Sequence, residues 1–185
     1  VKRLKLTLAA DMLASGGLDF SFLYHTNFLH GFETETLLSE PLCLLAAPGV
    51  QVCTCAGEDG SVGLESLVRI PLILPRRPNA TRLLLEEACK GRGLQLQIVA
   101  EADSLDTLGA SVVAGLGSTV LTAANVARLE RFAGEAQGPF VVKPRITREL
   151  VLARSRDFPR TQAAEAIHAL AREITVAILS RGELI

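Results

Sequence analysis

The chain contains no tryptophan, and aromatic residues make up only 4% of it. An aromatic-rich β-sandwich core is thereby disfavoured. The hydrophobic share of 49% comes instead from Val, Leu, Ile and Ala, which suits an α/β fold. No long basic run occurs and the formal net charge is −1, so there is no electrostatic footprint for nucleic acid. The longest apolar runs, such as 41–50, fall short of the roughly 20 residues that span a bilayer. Residues 1–19 carry charges at Lys2, Arg3, Lys5, Asp11 and Asp19, which is not a secretory signal pattern. The chain begins with Val1 and reads as a fragment or a processed product. No internal repeat and no low-complexity segment is present. At 185 residues the chain is long enough to bury about 70% of its unfolded surface, as one domain or two small lobes.

Metal chemistry is poorly supported. Of Cys43, Cys53, Cys55 and Cys89, only Cys53 and Cys55 are close in sequence. A C-x-C without a second pair or a nearby His is weak evidence for a metal site. Free thiols of a cytosolic protein are the simpler reading. Cys43 stands in a Leu-rich run and reads as a small core residue. No metal and no cofactor are expected.

The pattern of apolar residues predicts alternating strands and helices. Leu4, Leu6 and Leu8 alternate in VKRLKLTL (1–8) as in a strand. A short helix follows at 11–15, stopped by Gly16 and Gly17. Strands are expected at 18–24, 37–47, 70–74, 94–100, 118–121, 140–143 and 149–154. Loops are expected at 25–36 and 56–63, and one helical turn at 64–68. Asn79 and Ser104 are in place to cap helices running to Gly91 and Gly115. Further helices are expected from Thr122 to about 132 and over about 161–181. The alternation predicts α/β architecture with mostly parallel sheet.

The stretch VVAGLGSTVL (112–121) raises the question of a phosphate loop. A dinucleotide fingerprint needs G-x-G-x-x-G between a strand and a helix. Here a helix precedes Gly115 and Gly117, a strand follows them, and Val120 stands where the third glycine belongs. A G-K-[ST] loop is also missing. The glycines read as a helix stop and a tight turn. No G-x-S-x-G occurs. Glu101 and Asp103, two residues apart before a helix, are too commonplace to argue acid–base chemistry. An enzyme is not expected.

Taken in order, several segments resemble the effector-binding domain of LysR-type transcriptional regulators. They are GGLDFSFLY (16–24), LLSEPLCLLAAPG (37–49), PLILP (71–75), IVAEADSLDTLGASVVAGLGSTVL (98–121) and ITRELVLARSRDFPRTQAAEAIHAL (146–170). The match covers nearly the whole chain. The P-R-R-P loop and the Leu-rich helix after it are most similar to nitrogen-assimilation-type regulators. Two parts of the family pattern are not found: the N-terminal winged helix-turn-helix, and the first strand and helix of the effector domain.

The resemblance implies an α/β fold of two Rossmann-like lobes with a ligand cleft between them, periplasmic-binding-protein-like (type II). Lobe I would be 1–68 plus 147–185 and lobe II 69–146, with crossovers near 68–71 and 143–147. It implies a small-molecule effector and homo-oligomers, dimers of this domain and tetramers of the full protein. DNA would be bound only through the domain absent here, and the protein would be cytoplasmic and away from membranes. The expected effector-binding residues are Tyr24, His25, Arg76, Arg77, Asn79, Ser104, Gly117 and Ser118. Arg76, Arg77 and Asn79 stand between a strand and a helix start, where guanidinium groups and free amides favour an anion. Ser104 offers a hydroxyl at the next helix start, Gly117 and Ser118 would line the wall, and Tyr24 and His25 end a strand of lobe I. Each also has a structural reading: caps for Asn79 and Ser104, a solvated loop for the arginines, a small turn residue for Ser118, and packing for Tyr24. His25 and His30 also read as exposed loop residues, and His168 as structural or interfacial. The alternative function is a periplasmic solute-binding protein of the same architecture.

Overall fold

The computed structural model describes residues 4–24, 29, 31–52, 60–130, 134–158 and 161–180. They form two compact units, one from 4–39 with 149–180 and one from 40–148.

In the first unit, α1 (Leu4–Ala14) packs on an antiparallel pair formed by β1 (Ser21–Tyr24) and β8 (Thr147–Ser155), with Leu23 opposite Val151. The expected strand at 1–8 is therefore overturned from Leu4 onward. Ala9, Ala10 and Ala14 favour helix, and Ala9 and Leu13, four residues apart, enter the core with Leu23, Leu29, Val151 and Ala153. Alternation over five residues could not separate the two periods. The helix ends where expected: Gly16 has φ +73° and the Gly17 N–H donates to the Met12 carbonyl at 2.8 Å, a Schellman closure. The long helix α6 (Gln162–Ser180) closes this unit. Strand β2 (Phe32–Ala46) begins inside the expected 25–36 loop and lies next to β8. His25, His30, Cys53 and Cys55 lie outside the described residues.

The second unit is built around the other half of β2. There Leu42, Cys43, Leu44, Leu45, Ala46 and Ala47 are all buried. Successive side chains of a strand point to opposite faces, so this one run feeds two cores. Leu42, Leu44 and Ala46 join Val62, Leu72, Leu74, Leu85 and Val120. Cys43, Leu45 and Ala47 join Ile73, Leu108, Val112, Leu121, Val126 and Leu129. A strand covered on both faces reads as continuous apolar sequence. Each fully buried Leu contributes about 1.5–3 kcal/mol.

The expectation of a mostly parallel sheet is corrected here. β2 pairs antiparallel with β6 (Thr119–Thr122) and β7 (Gln137–Lys143). β3 (Ser61–Gly63), inside an expected loop, pairs parallel with β7, and β4 (Leu72–Leu74) pairs parallel with β5 (Ile98–Glu101). Helix α2 (Leu64–Leu67) is the expected turn, and α3 (Ala80–Lys90), α4 (Leu105–Val113) and α5 (Ala123–Glu130) follow their strands. Strand–helix alternation predicts the elements, but the neighbours of β2 come from distant parts of the chain that run back along it.

The 112–121 stretch ends a helix and begins a strand. Gly115, with φ +72°, closes α4 by the same motif as Gly16, the Leu116 N–H reaching the Ser111 carbonyl at 3.0 Å. Gly117 serves close approach: a Cβ there would lie 2.9 Å from Ile73 Cγ1 and 3.2 Å from the Pro71 carbonyl oxygen. A backbone oxygen cannot swing aside, so Gly117→Ala is expected to cost about 1–3 kcal/mol in urea unfolding. The α4 glycine is the contrast. A Cβ on Gly109 meets the Leu129 side chain, tightly only at its Cδ2 methyl, at 2.7 Å. That methyl can rotate, and alanine gains about 1 kcal/mol of helix propensity, so Gly109→Ala should leave stability within about 1 kcal/mol.

Candidate functional site

Because β4 and β5 are adjacent and parallel, with Leu74 beside Glu101, the segments leaving their C-terminal ends run side by side. One is Pro75 to Asn79, which leads into α3. The other is Ala102 to Ser104, which leads into α4. The Ala102 N–H donates to the Leu74 carbonyl at 3.1 Å, and the Arg76 N–H donates to Asp103 Oδ1 at 2.9 Å. Asn79 Oδ1 accepts from the Thr81 and Arg82 N–H groups at 3.0 and 3.3 Å, and Ser104 Oγ accepts from the Thr107 N–H at 3.4 Å. Both expected caps are therefore in place. An N-cap satisfies amides that would otherwise lack a partner and is worth about 1 kcal/mol.

The charges here are matched. Arg76 Nε lies 3.5 Å from Asp103 Oδ2, and both side chains are 63% exposed. Arg77 Nε donates to Glu86 Oε2 at 2.8 Å. The other Glu86 oxygen accepts from Arg82 Nε, also at 2.8 Å. Arg82 is buried, and its Nη1 further donates to the Pro75 carbonyl at 3.0 Å and to the Glu101 carboxylate. Burial pushes the Glu86 carboxyl up, but Arg82 and Arg77 more than reverse this and hold it below its ordinary value. Burial likewise pushes the Arg82 guanidinium down, and Glu86 and Glu101 more than reverse that. Arg82 thus ties the turn after β4 to the end of β5.

Arg76, Arg77, Asn79 and Ser104 therefore share one edge of the second unit. Gly117 and Ser118 do not reach that edge. Ser118 bridges Leu72, earlier along β4, and is fully buried. Its Oγ accepts from the Ala47 N–H at 3.0 Å, its N–H donates to Pro71 O, and its carbonyl accepts from the Ile73 N–H, the last two both at 2.8 Å. Tyr24 ends β1 in the first unit, opposite Leu150 and 39% exposed. Sequence reasoning missed Arg82. The spacing Arg82–Glu86 is the i,i+4 pattern of a helical ion pair and was the available signal. The Glu101 partner, on another strand, had none.

A cavity of about 350 Å³ lies in the first unit, lined by Phe20, Leu152, Arg154, Phe158, Glu165 and His168 among others. Residues of its walls make polar contacts with acidic side chains. Arg154 binds Glu33, His168 Nε2 lies 2.6 Å from Glu35 Oε2, and Arg172 Nε lies 3.1 Å from Glu35 Oε1. None of the expected site residues among the described residues lines it. The charged edge and this cavity are thus different places.

Among the described residues, no group of His, Cys, Asp and Glu could hold a metal ion, and no helix is long and apolar enough to cross a membrane. Cys43 and Cys89 are buried, and burial pushes the Cys89 thiol up.

The two α/β units, with segments from both ends of the chain completing the first, define a periplasmic-binding-protein-like (type II) α/β domain. The model of the LysR substrate binding domain matches residues 4–175, and the chain belongs to that family. The nitrogen assimilation regulatory protein nac of Klebsiella aerogenes is 31% identical over 180 residues, covering 96% of this chain and 54% of that protein. The uncharacterized HTH-type transcriptional regulator YfeR of Shigella flexneri is 28% identical over 176 residues, covering 94% of this chain and 54% of that protein. The chain thus spans about half the length of these relatives. Among solved structures, the regulatory domain of Synechocystis PCC6803 CcmR in complex with 2-PG matches with a TM-score of 0.71 at 14% identity, over 91% of this chain and 78% of that one. The effector binding domain of QuiR in complex with shikimate matches with a TM-score of 0.72 at 14% identity, over 93% of this chain and 78% of that one.

Proposed function

We propose that this chain is the ligand-sensing regulatory domain of a bacterial LysR-type transcription factor. In this reading a small metabolite with an anionic group binds between lobe I (1–68 plus 147–185) and lobe II (69–146). The carrying observation is the edge where two neighbouring parallel strands deliver Arg76, Arg77, Asn79 and Ser104 to the starts of two helices. Ligands of open α/β sheets bind beyond the carboxyl ends of the strands, and helix N-termini with guanidinium groups suit anions. Tyr24 and His25 would contribute from lobe I, while Gly117 and Ser118 would hold the wall behind the site. Ligand-bound CcmR and QuiR domains of the same fold support the reading. The naming of the sequence relatives as transcriptional regulators favours it over a periplasmic solute-binding protein.

The domain would act as a sensor and not as an enzyme, in the cytoplasm, as a homo-oligomer. DNA would be contacted by another part of the longer protein. A ligand shifts such a domain only if it binds two of its states unequally. A thermal-shift screen of this chain against carboxylates, amino acids and phosphates tests the proposal. A ligand at about 100 times its Kd adds about 2.7 kcal/mol to stability. A selective hit lost on Arg76→Ala or Ser104→Ala is the expected result. A flat screen with folded protein, or hits indifferent to both substitutions, would count against the site.

A further inference from the structure

We infer that the ligand of this edge is a zwitterion, carrying an ammonium beside its carboxylate as an α-amino acid does. This rests on the reading of the site proposed above and narrows it. The basis is the pairing of the cations. Arg76, Arg77 and Arg82 face Asp103, Glu86 and Glu101, so three guanidinium groups meet three carboxylates. A site for a plain anion would keep a cation in reserve, and here every guanidinium already has a carboxylate.

The pairs differ in how readily they can exchange. Glu86 gives one oxygen to Arg77 and the other to buried Arg82, so releasing Arg77 disturbs the brace between β4 and β5. Arg76 is different. Its guanidinium touches Asp103 only at 3.5 Å, with both side chains well exposed, so it can turn to a ligand at little cost. Asp103 stays beside it, because its Oδ1 accepts from the backbone N–H of Arg76 at 2.9 Å. An oxo acid bound to Arg76 would therefore lie beside a carboxylate, and like charges at such range repel. An amino acid resolves this. Its carboxylate takes the guanidinium, its ammonium takes Asp103 Oδ2, and both partners of the original pair stay matched. Ser104 Oγ accepts from the Thr107 N–H, which leaves its own hydrogen to donate to the ligand carboxylate.

The test is calorimetric titration of this chain with matched pairs that differ only in the amine: L-glutamate and 2-oxoglutarate, L-phenylalanine and phenylpyruvate, L-alanine and pyruvate. In at least one pair the amino acid should bind 10-fold or more tightly than its oxo acid. Asp103→Asn keeps an acceptor for the Arg76 N–H but removes the charge. It should weaken the amino acid at least 10-fold and strengthen the oxo acid. Asp103→Glu, which keeps the charge, should retain the preference for the amine. Oxo acids binding as well as amino acids, with Arg76→Ala abolishing both and Asp103→Asn changing neither, would overturn the zwitterion while leaving the sensing site standing. If no member of the panel and no compound of the wider screen binds, both readings fall.

Discussion

Replacing Arg148 with methionine is expected to lower the stability of the domain by about 3–5 kcal/mol, the range for leaving one member of a buried pair behind. Arg148 at the start of β8 and Glu40 in β2 are only 13% and 11% exposed, with Nη2 of the arginine 3.1 Å from Glu40 Oε2 and 3.4 Å from Thr122 Oγ1. Removing the guanidinium strands the Glu40 carboxylate away from both water and its partner. At about 2–4 °C per kcal/mol for a chain of this size, the thermal midpoint should fall by roughly 10 °C. Adding Glu40→Leu to the same protein should recover most of the loss, because an apolar pair of similar volume has no charge to desolvate. A urea titration that finds Arg148→Met within 1 kcal/mol of the parent would show that water reaches this pair.

Arg82→Met is the second large effect, at about 2–3 kcal/mol. It lies below the usual range for a broken buried pair because Glu101, one of the carboxylates it leaves, is 42% exposed. This substitution also carries a pH signature. The Glu86 carboxyl is held below its ordinary value of 4.5 in the folded protein. A group depressed in this way adds stability above its unfolded pKa, and that stability is lost as pH falls through the folded value. The difference between parent and variant should therefore be constant from pH 7 to about pH 5 and shrink steadily below pH 4.5. A gap that persists unchanged at pH 3 would mean that Arg82 acts through packing of its stem and its bond to the Pro75 carbonyl, not through Glu86. The variant should also loosen the Arg76 turn, since Arg82 no longer holds the Pro75 carbonyl, and so weaken any ligand that depends on Arg76.

What could be read from the sequence was what local chemistry decides. The Asn79 and Ser104 caps, the Gly115 stop and the apolar run at Leu42–Ala47 each announce themselves within four or five residues, and each is where it was expected. What could not be read depends on which segments become neighbours. The antiparallel flanks of β2 arise from strands about 80 and 100 residues further along the chain. The partners Glu40 and Arg148 are 108 residues apart, and no periodicity links them. The helix at Leu4–Ala14 was obscured by a brief alternation of leucines. The candidate site shows the same division. Its arginines and caps were legible as residue types. The pairing was not, because Asp103 meets Arg76, and Glu101 meets the overlooked Arg82, only through the pairing of β4 with β5.

The run Leu42–Ala47 has a consequence for how this unit can change. A strand with a solvent face can take up an extra residue or a polar side chain on its wet side, whereas this one has no such side. A single inserted residue within it would send every side chain beyond it to the opposite core, so leucines sized for the α3 side would arrive against α4 and α5. Neither half of the interior can therefore drift in size or melt by itself. The central strand makes them one cooperative block, and variation tolerated in this unit should collect in its turns and on the outer helix surfaces, with hydrogen exchange across β2 slowing to the rate of global unfolding.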